Sequence, residues 1–317
     1  AVTTGVQNTL IGGLAGDALT DADYNTAVGY LALSSDTLGS TSVAIGAYSL
    51  EAQNFTSATN SYNVAIGYNT GADITTGTVN TLVGGLAGDA LTSGNSNVAL
   101  GYLALSADTL GDRAVAVGMN ALANQNFTSS VDSYNVAVGY QAGFQVTTGV
   151  QNTIIGGLAG DSLTSGGSNV AVGYNALSTE DGHGSNTAIG ASALATQNAG
   201  ANAFNTAVGA SAGLAVTTGV QNTLIGGLAG DASTTGNENT AIGYGSLSAS
   251  TTASNNVAVG ATALLTNTTG AENTAIGRRA LFSSATASNN TAVGSNALLS
   301  NTTGTRNAAL GTYSLDA

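Results

Sequence analysis

The chain repeats one short pattern of apolar and polar positions along nearly its whole length. A glycine recurs in steps of 17 residues, with two steps of 21 and one of 19, and the residue before each of these 18 glycines is Val, Ile or Leu. The residue four places before the glycine is Asn in 16 of the 18 copies. Copies of one short unit at a fixed period are the sequence signature of a repeat architecture.

Each repeat can be numbered from its glycine. Positions −4 to −1, as in Asn-Thr-Ala-Val at 25–28, alternate with a period of two and predict a strand. Positions −3 and −1 share one face, which we assign to the core, and position −2, Ala in 14 of 18 copies, lies on the other face. The glycine predicts a corner, and Ala at +3 with Leu or Gly at +4 predicts a second short strand before a Thr/Ser/Gly/Asn turn.

A repeat of 17 residues cannot bury its own apolar face, but stacked repeats can. We therefore predict an all-β fold, a parallel β-solenoid or β-roll of about 18 coils in a single elongated domain over residues 1–317. A spacing of about 4.8 Å per coil predicts a rod of roughly 85 Å. Four-coil super-repeats begin near residues 8, 80, 152 and 222, and the coils are uniform from about residue 239.

Identical residues of successive coils should stack into ladders. An Asn ladder suits a corner because each side-chain amide can both donate to and accept from its neighbours. The predicted ladder residues are Asn25, Val28, Gly29, Asn97, Gly101, Asn169, Gly173, Asn239, Gly243, Asn273 and Gly277.

Composition narrows the possible partners. The net charge is −13 and the four basic residues are all Arg, which argues against nucleic acid because a basic footprint is expected there. No stretch approaches the roughly 18 apolar residues that span a bilayer, so we predict no membrane insertion. The absence of Cys excludes disulfides and thiolate metal sites.

The repeat resembles two known families. The sequence Asn-Thr-Ala-Ile-Gly-x-x-Ala-Leu at 273–281, with Thr-Thr-Gly at 302–304, is similar to the repeats of bacteriophage tail fibres that end in an endosialidase-type chaperone. The segment Ser-Val-Ala-Ile-Gly at 42–46 resembles the head repeats of trimeric autotransporter adhesins. Both resemblances imply a homotrimer of parallel β-rolls with a role in surface attachment, and repeats of 17 residues favour the phage type.

The residues themselves also favour self-association. If Val and Ile at −1 fill the core, the Ala at −2 form a smooth outward stripe, which is better suited to close packing between chains than to solvent. The alternative is that position −2 points into a thin core of a single chain and shares it with position −1.

Catalysis, cofactor binding and metal binding have no convincing signature, so we predict no such site. The single His183 lies in an irregular segment, 180–184, where we expect an exposed turn residue rather than a catalytic group. Asp17, Asp89, Asp161 and Asp231 occur once per super-repeat, which would place them about 19 Å apart, too far for a carboxylate pair.

Ligand contact is best sought in the long insertions, because loops on rigid scaffolds carry function. Their aromatic residues could stack on a sugar ring of a cell-surface glycan, or they could pack on the widened coil. These candidate contact residues are Phe55, Tyr62, Phe127, Tyr134 and Phe204.

The sequence favours a non-enzymatic fibre or adhesin module that forms a rigid rod for attachment to a host or cell surface. Its expected location is extracellular, on a virion or a cell-surface appendage. Two alternatives are a homopolymeric filament built by end-to-end stacking of solenoids and an ice-binding solenoid that uses the Thr residues at +8. A polysaccharide-degrading tailspike is a further and weaker alternative.

Overall fold

The computed structural model describes residues 2–316, and the chain divides into two compact units, Ala1–Gly157 and Leu158–Ala317. Each unit is a parallel β-solenoid of nine coils, and each coil has one three-residue strand. The predicted class, an all-β parallel solenoid of about 18 coils with a 17-residue repeat, is confirmed. Residues 2–316 form no helix, and so none with the length and apolarity needed to cross a bilayer.

The strands of the first unit include nine coil strands and four two-residue strands, β3, β5, β9 and β11. They are β1 (Thr9–Ile11), β2 (Thr26–Val28), β3 (Gly39–Ser40), β4 (Val43–Ile45), β5 (Thr59–Asn60), β6 (Val64–Ile66), β7 (Thr81–Val83), β8 (Val98–Leu100), β9 (Gly111–Asp112), β10 (Val115–Val117), β11 (Val131–Asp132), β12 (Val136–Val138) and β13 (Thr153–Ile155).

The second unit has coil strands only. They are β14 (Val170–Val172), β15 (Thr187–Ile189), β16 (Thr206–Val208), β17 (Thr223–Ile225), β18 (Thr240–Ile242), β19 (Val257–Val259), β20 (Thr274–Ile276), β21 (Thr291–Val293) and β22 (Ala308–Leu310).

Within each unit, successive coil strands pair in parallel with like residues in register. Val28 pairs with Ile45 in the first unit, and Ile242 pairs with Val259 in the second. The longer steps keep this register, since Ile45 pairs with Ile66 across a step of 21 residues. One glycine-to-glycine step is therefore one turn of backbone, and the extra residues are accommodated outside the coil strand.

The repeated glycine forms a corner that no other residue could occupy without strain. Gly67 has a φ of +143°, and a Cβ added to it would lie 2.6 Å from the carbonyl oxygen of Gly84 in the next coil. The close backbone approach and the backbone angle together explain why this position is Gly in every repeat.

The predicted second strand at +3 and +4 is wrong. The residues after the corner glycine form turns, and positions +2 and +4 have positive φ in every coil; Leu33 at +4 has a φ of 53°. Ala32 and Leu33 are both fully buried, so two consecutive side chains point inward. A strand cannot do this because its side chains alternate between two faces.

The two faces of the coil strand are the reverse of what we expected. Ala44 at −2 is fully buried, whereas its neighbour Ile45 at −1 is 37% exposed. The prediction that Val and Ile fill the core and Ala forms the outward stripe is therefore wrong. The alternative was a thin core shared by positions −2 and −1. It is right that position −2 lies inside, and wrong that position −1 lies there too. The interior already holds positions +3, +4 and +7, so it has room for a small side chain at −2.

Core volume is shared between positions −2 and +4. Leu224 replaces the usual Ala at −2, and the +4 residues beside it are Gly213 and Gly230. A Cβ on Gly213 would lie 2.7 Å from Cδ1 of Leu224 and 2.9 Å from Cδ2 of Leu194. A larger side chain at one position thus requires a smaller one at the other, as close packing demands.

Asn at −4 links successive coils through a ladder of buried amides. Oδ1 of Asn63 accepts a hydrogen bond from the backbone N–H of Asn80 at 2.9 Å, and Nδ2 of Asn80 donates to the carbonyl of Gly94 at 2.9 Å. The same pattern recurs at Asn239 and Asn256 in the second unit. Each amide satisfies backbone groups that the short strands leave unpaired.

Candidate interaction surface

The outer face of each coil sheet carries a row of aliphatic side chains at position −1, which we call the outer aliphatic stripe. Ile66 in the first unit is 37% exposed and Ile189 in the second is 38% exposed. Position −3 on the same face is Thr, Val or Ala, so neither position bears a charge. In the first unit the stripe is Ile11, Val28, Ile45, Ile66, Val83, Leu100, Val117, Val138 and Ile155. In the second unit it is Val172, Ile189, Val208, Ile225, Ile242, Val259, Ile276, Val293 and Leu310.

Tyrosines just after the corner glycine border the stripe. Tyr30 and Tyr68 at +1 are exposed, and Tyr48 lies between them in edge-to-face contact, with ring centroids 5.6 Å from Tyr30 and 5.8 Å from Tyr68. Such aromatic rows supply contact area with little conformational entropy to lose. They widen the uncharged surface beside the stripe.

The aromatic residues proposed as ligand contacts fall into two groups. Phe55 and Phe127 are only 6% and 5% exposed, so their rings pack inside the widened coils and do not present a face to a sugar. Tyr62, Tyr134 and Phe204 are exposed at position −5, where the backbone has positive φ. Ligand contact through these three residues stays a prediction.

The surroundings of Tyr134 include a surface ion pair between Arg113 and Asp132. Its hydroxyl donates to Oδ2 of Asp132 at 3.1 Å, the guanidinium of Arg113 lies 5.8 Å from its ring centroid, and Arg113 pairs with Asp132. These contacts fix the ring on the coil surface, with one side toward solvent.

Buried carboxylates lie at position +7 in the second coil of each of the first two super-repeats. Asp108 Oδ1 accepts from the backbone N–H of Gly111 at 3.0 Å and of Phe127 at 3.2 Å, and Oδ2 accepts from Nε2 of Gln125 at 2.6 Å. Asp36 has the same three kinds of partner. Burial raises the pKa of Asp108, although these hydrogen bonds act in the opposite direction.

The third super-repeat departs from this arrangement. Glu180 takes the position of Asp108, His183 that of Gly111 and Ala199 that of Phe127, each 72 residues later. Gln197, the counterpart of Gln125, donates instead to Oδ1 of Asn186 at 3.1 Å. The Glu180 carboxylate has therefore lost the glutamine that its counterparts use.

Glu180 and His183 face each other inside this turn. The Glu180 side chain is fully buried, His183 is 30% exposed, and Nδ1 of His183 lies 3.4 Å from Oε1 of Glu180 and 4.0 Å from Oδ1 of Asp181. His183 is thus partly buried, not the exposed turn residue that we expected. Neither Glu180 oxygen nor His183 Nδ1 has a hydrogen-bond partner.

Burial is the largest influence on the ionisation of Glu180 and raises its pKa. The positive charge that His183 can carry and contact with its ring lower this pKa, and the charge of Asp181 raises it. The backbone N–H of Ala199 also lowers it, without reaching either oxygen in hydrogen-bond geometry. The carboxylate consequently has an uncompensated cost of burial when it is ionised.

Two features of these surfaces do not follow from the repeat pattern alone. Alternation along the strand defines two faces but does not say which one is inside, so the outer aliphatic stripe was assigned to the core. The Glu180–His183 contact was signalled by concerted changes between super-repeats, from Asp, Gly and Phe to Glu, His and Ala. Comparison of the chain with protein-family models and with curated proteins finds no match.

Proposed function

We propose that this chain is a non-enzymatic structural module that self-associates through the outer aliphatic stripe to form a fibre for attachment to a host or cell surface. The observation that carries the proposal is the orientation of the coil strands, with Ala inside and Val, Ile or Leu outside in both units. A soluble chain rarely leaves a large uncharged apolar face open, and such faces mark interaction sites.

The free energy available from the stripe is of the size that association needs. Complete burial of Val, Leu or Ile contributes about 1.5–3 kcal/mol, so covering a side chain that is roughly 40% exposed gains about 0.6–1.2 kcal/mol. The stripe of one unit then offers about 5–11 kcal/mol, against an association cost of roughly 4–15 kcal/mol. Burial of the stripe can therefore offset the cost of association.

A copy of the same chain is the partner that suits this face. The stripe is built from the same residue types in every coil, so identical chains can pack along it in register. Three chains is the number implied by the resemblance to phage tail-fibre and adhesin-head repeats. The interface differs from the one first expected, because Ala at −2 lies within each coil and is not available to a partner.

The ice-binding alternative draws no support from the Thr residues at +8. Their hydroxyls donate to carbonyl oxygens of the next coil, as from Thr20 to Thr37 at 3.0 Å and from Thr234 to Thr251 at 2.9 Å. Hydroxyl groups used between coils are not free to match an ice lattice. Thermal hysteresis of a protein solution would nevertheless reinstate this alternative.

The proposal is tested by placing charge on the stripe. The double variant Ile242→Asp/Ile276→Asp puts two carboxylates on the outer face, where both side chains are exposed in the single chain. Its control, Asn255→Asp/Asn289→Asp, adds the same charge at exposed −5 positions of the same unit, and Asp tolerates their positive φ.

Sedimentation velocity and native mass spectrometry give the number of chains in each assembly. We expect three chains for the parent protein and for the control, and single folded chains for the stripe variant. Circular dichroism checks that the stripe variant keeps its β structure. A parent protein that sediments as one chain at micromolar concentration, or a stripe variant of unchanged mass, would contradict the proposal.

A further inference from the structure

We propose that Glu180, Asp181 and His183 form a binding site for one divalent transition metal ion of the Zn²⁺ type. Each residue offers one ligand atom, and these atoms lie within 4.8 Å of one another. The site goes beyond self-association of the chain and lies in the second unit.

The donor set selects the class of ion. An imidazole nitrogen with two carboxylates suits Zn²⁺ and its neighbours Co²⁺ and Ni²⁺, whereas Ca²⁺ and Mg²⁺ prefer oxygen ligands throughout. Bond lengths of about 2.0–2.2 Å in a tetrahedral site put ligand atoms about 3.3–3.6 Å apart. The 3.4 Å between Oε1 of Glu180 and Nδ1 of His183 matches that separation.

The buried carboxylate is the independent sign of a ligand. Glu180 is fully buried and neither of its oxygens has a hydrogen-bond partner, and Nδ1 of His183, toward which it points, also has none. Asp108, at the corresponding position of the preceding super-repeat, uses three hydrogen-bond donors to stabilise its charge. A cation between Glu180 and His183 would supply the compensation that is otherwise missing.

The changes between super-repeats place a histidine where the first two super-repeats have a glycine. In the first super-repeat, a Cβ on Gly39 would collide with Oδ2 of Asp36 and would lie 2.7 Å from Cδ2 of Phe55, so a side chain larger than Gly cannot be accommodated there. In the third super-repeat the residue corresponding to Phe55 is Ala199, and His183 replaces the glycine. A side chain larger than Gly is therefore found in the super-repeat that lacks the phenylalanine.

Asp181 provides the third ligand and a route to solvent. Its side chain is 56% exposed, and its Oδ1 lies 4.0 Å from Nδ1 of His183, so a small side-chain rotation brings it into the ligand sphere. Its carbonyl oxygen accepts a hydrogen bond from Oγ1 of Thr164 at 2.8 Å, which anchors the backbone of the turn to the preceding coil. Water completes the coordination of the ion, and the ion cross-links the side chains of the irregular segment 180–184.

The experiment is a titration of the purified full chain, stripped of metal with a chelator, with Co²⁺ and then Zn²⁺. Calorimetry and the visible spectrum of Co²⁺ report the stoichiometry and the ligand field. The chain has a single His, so the imidazole NMR signals belong to His183 alone. We expect one ion per chain, a shift of these signals on addition of Zn²⁺, and a higher thermal midpoint.

Two variants and one control identify the ligands. His183→Gly restores the residue found at positions 39 and 111, and Glu180→Gln keeps the shape of the side chain. Loss of a residue that only hydrogen-bonds to a metal ligand weakens metal binding roughly 10- to 100-fold. Each variant here removes a ligand itself, so it should weaken binding by about 100-fold or more. Glu272→Gln, an exposed carboxylate of the same unit, should bind like the parent.

Three results would overturn the proposal. The first is the absence of saturable binding to the parent chain. The second is equal affinity in the parent and in His183→Gly or Glu180→Gln. The third is an imidazole that titrates with pH but does not respond to Zn²⁺, which would show that Glu180 and His183 form only an ion pair. The NMR result uses the parent chain, so it holds even if a variant fails to fold.

Discussion

A single methyl group added at Gly213 should destabilise the second unit far more than one added at Gly200. Both glycines have positive φ, +60° and +70° respectively. A Cβ at Gly213 would lie 2.7 Å from Cδ1 of Leu224 and 2.9 Å from Cδ2 of Leu194, whereas nothing lies within 4 Å of one at Gly200. Gly200→Ala therefore measures the cost of backbone angle alone, and Gly213→Ala adds the collision.

The expected magnitudes follow from these two contributions. Left-handed backbone costs a residue other than Gly about 1–2 kcal/mol, and Ala regains roughly 0.4–1 kcal/mol by restricting the unfolded chain. Gly200→Ala should thus cost about 1 kcal/mol. Overpacking adds about 1–3 kcal/mol, so Gly213→Ala should cost about 2–4 kcal/mol.

Leu224→Ala completes a double-mutant cycle with Gly213→Ala. Leu224→Ala alone should lower stability by about 2–5 kcal/mol. The double variant should lose about 1–3 kcal/mol less stability than the two single variants lose in sum. Hydrogen exchange of amides near Leu224 is a suitable assay, because repeat arrays need not unfold in one step. All variants are compared at one protein concentration, since assembly also contributes to stability.

Either of two results would refute this reasoning. If Gly213→Ala and Gly200→Ala differ by less than about 0.5 kcal/mol, the core beside Gly213 is not filled as described. If the effects of Gly213→Ala and Leu224→Ala are additive, the two positions do not share the same volume.

Two further predictions concern buried polar groups. Asn256→Ala removes the amide that accepts from the backbone N–H of Asn273 and donates to the carbonyl of Gly270, so it should cost about 2–3 kcal/mol in the same exchange assay. Burial raises the pKa of Asp108 above its ordinary 3.8, so the folded chain retains this proton at pH values where the unfolded chain has lost it. Protonated Asp108 therefore stabilises the folded chain below the pKa of the unfolded state. This stabilisation is lost as pH rises through the higher pKa of the folded state. The thermal midpoint should accordingly fall as pH is raised from about 4 to about 7, with a smaller slope in Asp108→Asn than in the control Glu272→Gln.

The period of the repeat was enough to predict the fold. Gly recurs because a φ near +135° and a close carbonyl exclude every other residue, as at Gly46, and Asn recurs because its amide joins adjacent coils, as at Asn80. Both requirements are local to one coil and its neighbour. They are therefore visible in a single sequence as fixed spacing.

The orientation of the strand was not predictable in the same way. Alternation separates Ala44 from Ile45 but does not identify the inside, which depends on how much volume the other inward positions already fill. The backbone after the corner is not predictable for a related reason. Ala32 and Leu33 both point inward because Leu31 and Leu33 have positive φ, and an apolar pair in the sequence does not reveal its backbone angles.

The candidate metal site required comparison across super-repeats as well as the three-dimensional arrangement. Glu180 and His183 are three residues apart in a segment without periodic pattern, and nothing in their spacing specifies that they face each other. The sequence showed a single His beside two acidic residues, a composition that is usual in exposed turns. The replacement of Asp, Gly and Phe by Glu, His and Ala, together with the loss of the glutamine partner, distinguishes this turn from its counterparts.

The most direct test of the central claim is the reactivity of a single thiol on the stripe. The chain has no Cys, so Ile189→Cys and Ala188→Cys each carry one thiol on opposite faces of β15. We predict that the Ile189→Cys thiol is protected from a maleimide reagent in the assembled protein and reacts rapidly once Ile242→Asp/Ile276→Asp separates the chains. The Ala188→Cys thiol should be unreactive in both backgrounds. Rapid reaction of Ile189→Cys in the parent background, unchanged by the stripe variant, would contradict assembly through this face.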